Sequence, residues 1–294
     1  MTLYGIPPAM MRRALAPDTG RAHARDIVST AHAWWLENRS TGEVHIALGA
    51  MAALALAAPT DIDGPDYGPL LIPLDDQEFI DAMRAAWNSV WAYRPDLAAA
   101  ARPLHEWLAA PSDNDMRGLA DYARVLVRAG LLECISDLNR CEADDPLGLI
   151  LQRMSSYSEH QKGGVFFTPA SAADLNAEVL LSRDLPPGAQ FLEPCAGTGT
   201  MVRAAAATLR YRGLAASSYW WWMNDPDPVN AACCAVNALL WRLGPRVMVS
   251  SGDALGDVEE LQERARHNAE KATREQRSRP LLYPTRTRSP YWPA

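Results

Sequence analysis

No two of the five cysteines (Cys134, Cys141, Cys195, Cys233 and Cys234) stand at Cys-x-x-Cys spacing, and no histidine lies near them at ligand spacing. The chain therefore lacks the signatures of a zinc site and of a disulfide scaffold, and no metal is expected; reduced thiols in a cytoplasm are. A secretory leader, charged then apolar, is missing from the N-terminus. Long hydrophobic runs are missing too. The most apolar stretch, IALGAMAALALAAP from Ile46 to Pro59, falls short of the roughly 20 residues a membrane helix needs and reads as a buried helix. The six histidines are scattered with no nucleophile pattern around them, so packing and surface roles are expected of them. The chain also lacks a basic excess: its formal charge is −7, which argues against gripping DNA unaided across a broad face. That charge is uneven, because residues 261 to 294 carry eight Lys/Arg against three Asp/Glu, leaving −12 for the preceding 260.

What is present is enough apolar material, 48% of 294 residues, for one large domain or two modest ones. Residues 20 to 160 read as helical. HARDIVSTAHAWWLE, QEFIDAMRAAWNSVWAY and MRGLADYARVLVRAGLLECISDL carry apolar residues at three-to-four spacing. Asp61 to Asp76 reads as a loop, and Pro111-Ser112-Asp113 as a helix start. The expected organisation is a mainly helical module over 1–155, a cofactor-binding half-domain over 156–260, and a basic, flexible tail over 261–294.

After about residue 185 the rhythm changes to strand–helix alternation. Strands are predicted at 190–194, 218–223 and 246–250, with helices at 198–209 and 228–243, which means an α/β fold with a parallel sheet. Between the first strand and its helix stands FLEPCAGTGT, where Gly197 and Gly199 would let a ligand approach the backbone closely. The helix after the turn would aim its free N–H groups at that ligand. A dinucleotide fingerprint wants a third glycine where Val202 stands, and a phosphate-binding P-loop wants Gly-Lys-Ser/Thr, which is lacking. The turn favours a nucleoside over a pyrophosphate.

Ligands of such sheets sit at the carboxyl ends of the strands. Glu193 stands there after the first strand, Asn224 and Asp225 after the second, and Asp253 after the third. Asp225 is placed to accept both ribose hydroxyls, or to cap the next helix, or to do both. Asp253 could accept from an adenine amino group or simply serve its turn. Glu193 could orient the glycine loop or meet a cationic end of the ligand. An adenosine site with no phosphate grip describes S-adenosylmethionine best. Trp220 to Trp222 are expected to be buried strand residues.

DPLGLILQRMSSYSEHQKGGVFFTP followed by FLEPCAGTGT resembles the modification subunit of type I restriction–modification systems, an N6-adenine DNA methyltransferase family. Gly163-Gly164-Val165-Phe166-Phe167-Thr168-Pro169 resembles that family's Gly-Glu-Phe-Phe-Thr-Pro stretch, which packs over the cofactor. Glu193-Pro194-Cys195-Ala196-Gly197-Thr198-Gly199 resembles its Asp-Pro-x-x-Gly-Thr-Gly turn, with Glu193 for the usual aspartate. Asp225 through Asn237 keeps its acid-to-asparagine spacing, with Asp225 for glutamate, and Gly252-Asp253 resembles its third-strand Gly-Asp. The likeness spans roughly residues 120 to 256, more loosely the helical part before. It implies a Rossmann-like methyltransferase sheet, S-adenosylmethionine as cofactor, and DNA as substrate. It also implies a separate specificity subunit, which suits the acidic body. Cofactor contacts are implied for Phe167, Thr168, Pro169, Glu193, Pro194, Gly197, Thr198, Gly199, Asp225 and Asp253.

The family's Asn-Pro-Pro-Tyr/Phe transfer motif, which holds the flipped adenine, is not present. Its nearest counterpart is Ser289-Pro290-Tyr291, the only candidate catalytic group, with Pro280 to Tyr283 as a remnant fourth strand. The sheet is thus expected to be incomplete, with its first strand an open edge that the helical module, the tail or a completing methyltransferase chain must cover. The arginines of 261–294, with Tyr291 and Trp292, would suit phosphate contacts and stacking, or a solvated end. A non-catalytic, regulatory cofactor- or DNA-binding protein is the competing expectation.

Overall fold

The computed structural model describes residues 17–39, 43–61, 63–155, 167–181, 185–255 and 258–284. Its helical part runs through α1 (Pro17–Asn38), α2 (Val44–Ala57), α3 (Gly68–Leu71), α4 (Asp76–Tyr93) and α5 (Pro95–Ala100). After two short 3-10 turns it continues through α6 (Asp113–Met116), α7 (Leu119–Arg128), α8 (Leu131–Ser136), α9 (Leu138–Cys141) and α10 (Pro146–Met154). Residues 167–284 contain α11 (Ala170–Leu180), β1 (Gln190–Glu193), α12 (Thr200–Tyr211), β2 (Trp220–Asp225), α13 (Pro228–Leu240), β3 (Val247–Ser251) and α14 (Val258–Ser278).

Side-chain caps mark several helix starts. Asp75 opens α4 through a capping box in which its carboxylate accepts from the Glu78 N–H and the Glu78 carboxylate accepts from the Asp75 N–H. Ser112 and Asp115 repeat the device at α6, where Pro111-Ser112-Asp113 predicts a helix start. Asp76, the first residue of α4, reaches out to accept from the Gly118 and Ala120 N–H groups, so one helix start satisfies another. The stretch expected as a loop before α4 includes the single turn of α3, fastened by the Asp66 carboxylate on the Gly68 N–H. α2 is buried along nearly its whole length, as its uniformly apolar sequence requires.

The sheet is parallel in the order β1-β2-β3, with Phe191 opposite Trp221 and Asp225 opposite Ser251. The three strands fall within two residues of their expected positions. Successive strand residues face opposite ways, and the two faces of β2 meet different partners. Met223 touches Cys234 of α13, while Trp222 lies under the Arg266 guanidinium of α14, 4.8 Å from its ring centre. Phe191 stacks on Trp221 across the strand pair, with centroids 4.6 Å apart. Of the three tryptophans expected to be buried, Trp221 and Trp222 are, whereas Trp220 is only partly so.

Three expectations change. Residues 261–278 belong to a helix rather than a flexible tail: Leu261, Ala265 and Ala272 of α14 are buried, and the helix packs on α5 and β3. Their spacing of four and seven places them on one stripe, with Lys271, Arg274 and Arg277 exposed and Arg266 reaching back over Trp222. Pro280 to Tyr283 is not a strand. Tyr283 is instead buried in the helical part, where its N–H donates to the Asn88 Oδ1 and its carbonyl accepts from the Asn88 Nδ2, both at 3.0 Å. Its hydroxyl meets His105, a packing histidine that burial pushes down to a pKa of about 4. Finally, one hydrophobic core runs without interruption from Ile27 through Trp87 to Trp221 and Tyr283, so the helical part and the sheet are not separately cored.

β1 is one of the two outer strands. Beside it, Leu192 is 36% exposed and Leu175, Val179 and Leu180 of α11 are 66–74% exposed. Together they leave an apolar strip along that sheet edge.

Candidate functional site

The glycine turn joins the carboxyl end of β1 to the start of α12. The Ala196 N–H bonds back to the Asn224 carbonyl at 2.8 Å, and the Gly199 N–H to the Ala196 carbonyl at 2.8 Å, so the chain must double back within four residues. Both glycines take left-handed conformations, with φ of +55° at Gly197 and +102° at Gly199, which side chains resist. Their surroundings differ. A Cβ on Gly197 would meet nothing within 4 Å, whereas one on Gly199 would stand 2.9 Å from the Trp241 ring and 3.2 Å from the Cys234 sulfur. Gly197 thus borders open space, and Gly199 is small because the core presses on it.

On the rim side of the turn, Asp225 is only 6% exposed and its oxygens are largely occupied. Oδ2 accepts from the Gly197 N–H at 2.8 Å; Oδ1 accepts from the Asp227 N–H and the Asn230 Nδ2. The carboxylate pins the turn to the start of α13, while Asp227 caps that helix. With about four acceptor positions on a carboxylate, one is left, on Oδ2. Glu193 sits close enough to Asp225 to feel its charge. Burial, then that neighbour, raises the Glu193 pKa, opposed by its contact with the Cys195 N–H. Asp253 is exposed and its carboxylate accepts from the Leu255 N–H, the turn role left open by its sequence. Asn224 ties the three strand ends together, donating to the Pro194 and Gly252 carbonyls and accepting from the Ser250 hydroxyl.

On the other side, the turn is fastened to the helical part. Asp145 caps α10 through the Gly148 N–H at 2.9 Å, and the same carboxylate accepts from the Thr198 hydroxyl at 2.5 Å and the Asn237 Nδ2 at 2.8 Å. Asn237 also donates to the Thr198 carbonyl. Burial raises the Asp145 pKa, opposed by those three donors. The Thr198 hydroxyl is therefore committed to Asp145 rather than turned to a ligand. Asp145 escaped the sequence reading, although Asp-Pro at a helix start is a recognisable cap signal. Its partnership with the turn lies 53 residues away and has no local signature.

Phe167, Thr168 and Pro169 lie on the wall of a cavity of about 560 Å³ that also reaches Thr198 and Thr200. Pro169 starts α11 by accepting from the Ala172 and Ala173 N–H groups. The structure thus brings Phe167, Thr168 and Pro169 to one flank of the turn. Glu193, Asp225 and, more loosely, Asp253 occupy the other. Phe166 and the Ser289-Pro290-Tyr291 triplet lie outside the described residues. The buried thiols are not nucleophiles: burial pushes Cys134 up to about 12 and raises Cys141, Cys233 and Cys234 as well. Among the described residues no His, Cys, Asp and Glu cluster could hold a metal ion, and no helix is long and apolar enough to cross a membrane.

The residues present fit a nucleoside with a cationic side arm. Open space stands over Gly197, the remaining acceptor position of Asp225 can take one ribose hydroxyl rather than two, and Glu193 offers negative charge beside them. Neither family models, nor curated proteins, nor solved structures yield a match to the chain.

Proposed function

We propose that the chain binds S-adenosylmethionine across the glycine turn and serves N6-adenine DNA methylation of restriction–modification type, with target recognition supplied by a partner. The observation that carries this reading is Gly197. It stands in a left-handed turn at the carboxyl end of a parallel strand, its Cα side open to space, with a 560 Å³ cavity along the same turn. When bound, the cofactor supplies an activated methyl group. The chain's own residues would position it: Asp225 by one ribose hydrogen bond, Glu193 by its charge near the sulfonium, Asp253 at the adenine side, and Phe167 with Thr168 over the far end. DNA and a specificity subunit are the expected partners, because the chain's net charge of −7 offers little for sequence reading.

A second reading, a cofactor- or DNA-binding regulator without transfer chemistry, is favoured by one observation. The sequence holds no Asn-Pro-Pro-Tyr/Phe, and Ser289-Pro290-Tyr291 matches it at only two positions. The uncovered strip along β1 suits either a completing methyltransferase chain or a regulated partner. Calorimetric titration with S-adenosylmethionine and S-adenosylhomocysteine tests the cofactor. Micromolar binding lost on Gly197→Arg, in a variant that still melts cooperatively, is expected. No binding by the folded wild-type chain sinks the proposal. Transfer of labelled methyl groups to DNA with the partner chain present separates the enzyme from the regulator.

A further inference from the structure

α11 packs the wrong way round. It buries its small residues, Ala173 and Ala177, against Ala204 of α12, and turns Leu175, Val179 and Leu180 outward. A helix on the surface of a monomer buries its large apolar side chains instead. Beside α11 runs the outer edge of β1, with which no strand pairs among the described residues. Together with Leu192, the outward side chains present on the order of 400 Å² of apolar surface, a patch of the size that marks a docking site. Next to these projections lies a hollow. Between α11, α12 and the sheet, a cavity of about 150 Å³ is lined by Leu181, Phe191, Met201, Val202 and Trp221. An apolar cavity of that size holds a group as large as benzene, which is room for a leucine or valine side chain.

A surface that bears projection and hollow side by side can meet itself about a twofold axis, each copy filling the other's hollow. Charge permits that meeting even though the chain carries −7. Both carboxylates of α11 are balanced within the chain, Asp174 by Arg21 and Arg203, and Glu178 by Arg212. We propose that the strip is the interface of a homodimer: Leu175 and Val179 of each protomer project onto the cavity of its partner, and the contact shields both β1 edges. A standard interface covers roughly 800 Å² per partner, over half of it apolar. The patch supplies most of that apolar share, and the exposed Asn176, Glu178 and Gln190 around it supply a polar rim. This inference goes beyond the cofactor reading and does not depend on it.

The test is sedimentation velocity on the full chain without ligand, from about 1 to about 100 μM. Wild type should form a species of twice the chain's mass that dissociates on dilution, with a Kd in the micromolar range. Leu175→Glu puts a charge into the middle of the contact and should raise that Kd at least about a hundredfold, with circular dichroism unchanged because the position is exposed in the monomer. Leu175→Ser combined with Val179→Ser, a milder change on the same face, should raise it about tenfold or more. Leu36→Glu, at an exposed position of α1, should leave the dimer intact. Wild type that stays monomeric at the highest concentration would overturn the proposal and assign the strip to another segment or another protein. A dimer indifferent to Leu175→Glu and to the double serine variant would overturn it too, as would one lost equally on Leu36→Glu.

Discussion

The two flanks of the glycine turn are built on opposite terms. Towards the helical part, Asp145, Thr198 and Asn237 bond to one another and leave only the buried Asn237 Oδ1 of that trio's side-chain atoms without a partner, and Gly199 is pressed against Trp241. Towards the rim, Asp225 keeps one acceptor position unused, Glu193 is only partly shielded, Asp253 is exposed, and Gly197 borders open space. The first flank spends its polar groups on holding the turn still; the second keeps them within reach of something else. A turn held rigid from behind can present its front without reorganising when a ligand arrives. Substitutions on the two flanks should therefore separate stability from binding.

The largest effect is expected at Gly199. Gly199→Ala combines a left-handed φ with a Cβ 2.9 Å from Trp241 and should cost about 4 kcal/mol, lowering the melting temperature by roughly 10 °C. A melting curve unchanged by this variant would break the idea of a core-pressed flank. Asp145→Ala comes next, at about 3 kcal/mol, because the buried Thr198 hydroxyl loses its acceptor and the Asn237 Nδ2 and Gly148 N–H each lose one; denaturant midpoints would measure it. Gly197→Ala should cost only about 1 kcal/mol, from its φ alone, yet weaken S-adenosylhomocysteine in calorimetry more than its stability cost suggests.

Smaller still is a pH effect. Burial raises the folded-state pKa values of Asp145 and Glu193 above their ordinary 3.8 and 4.5. The folded chain then holds protons that the unfolded chain releases. Their stabilising contribution is complete below those ordinary values and is lost as pH rises through the raised ones. Denaturant midpoints should fall over that window, and Asp145→Asn and Glu193→Gln should each flatten part of the fall. Asp253→Ala, at an exposed turn, should change stability by less than about 0.5 kcal/mol.

The sheet was readable because its strands and helices carry their own periodicities, and Gln190–Glu193, Trp220–Asp225 and Val247–Ser251 lie where apolar runs meet turn residues. The rim was readable too, since strand ends locate it. α14 was hidden by composition: its outer face is so charged that Leu261, Ala265 and Ala272 looked incidental. Asp145 was hidden for another reason: it reaches the turn from the helical part, and its pairings 53 and 92 residues away leave no trace in any local window. The Thr198 hydroxyl and most of the acceptor positions of Asp225 are taken by intramolecular partners that only the folded chain reveals.

The Asn88–Tyr283 pair has a consequence for how this molecule is made. Two reciprocal hydrogen bonds join positions 195 residues apart, and closing a loop of that length costs about 5 kcal/mol of chain entropy. Neither bond can exist until a ribosome has delivered residue 283. Until then His105, which packs against Trp87 and meets the Tyr283 ring and hydroxyl in the finished fold, must wait on a nascent chain without that partner.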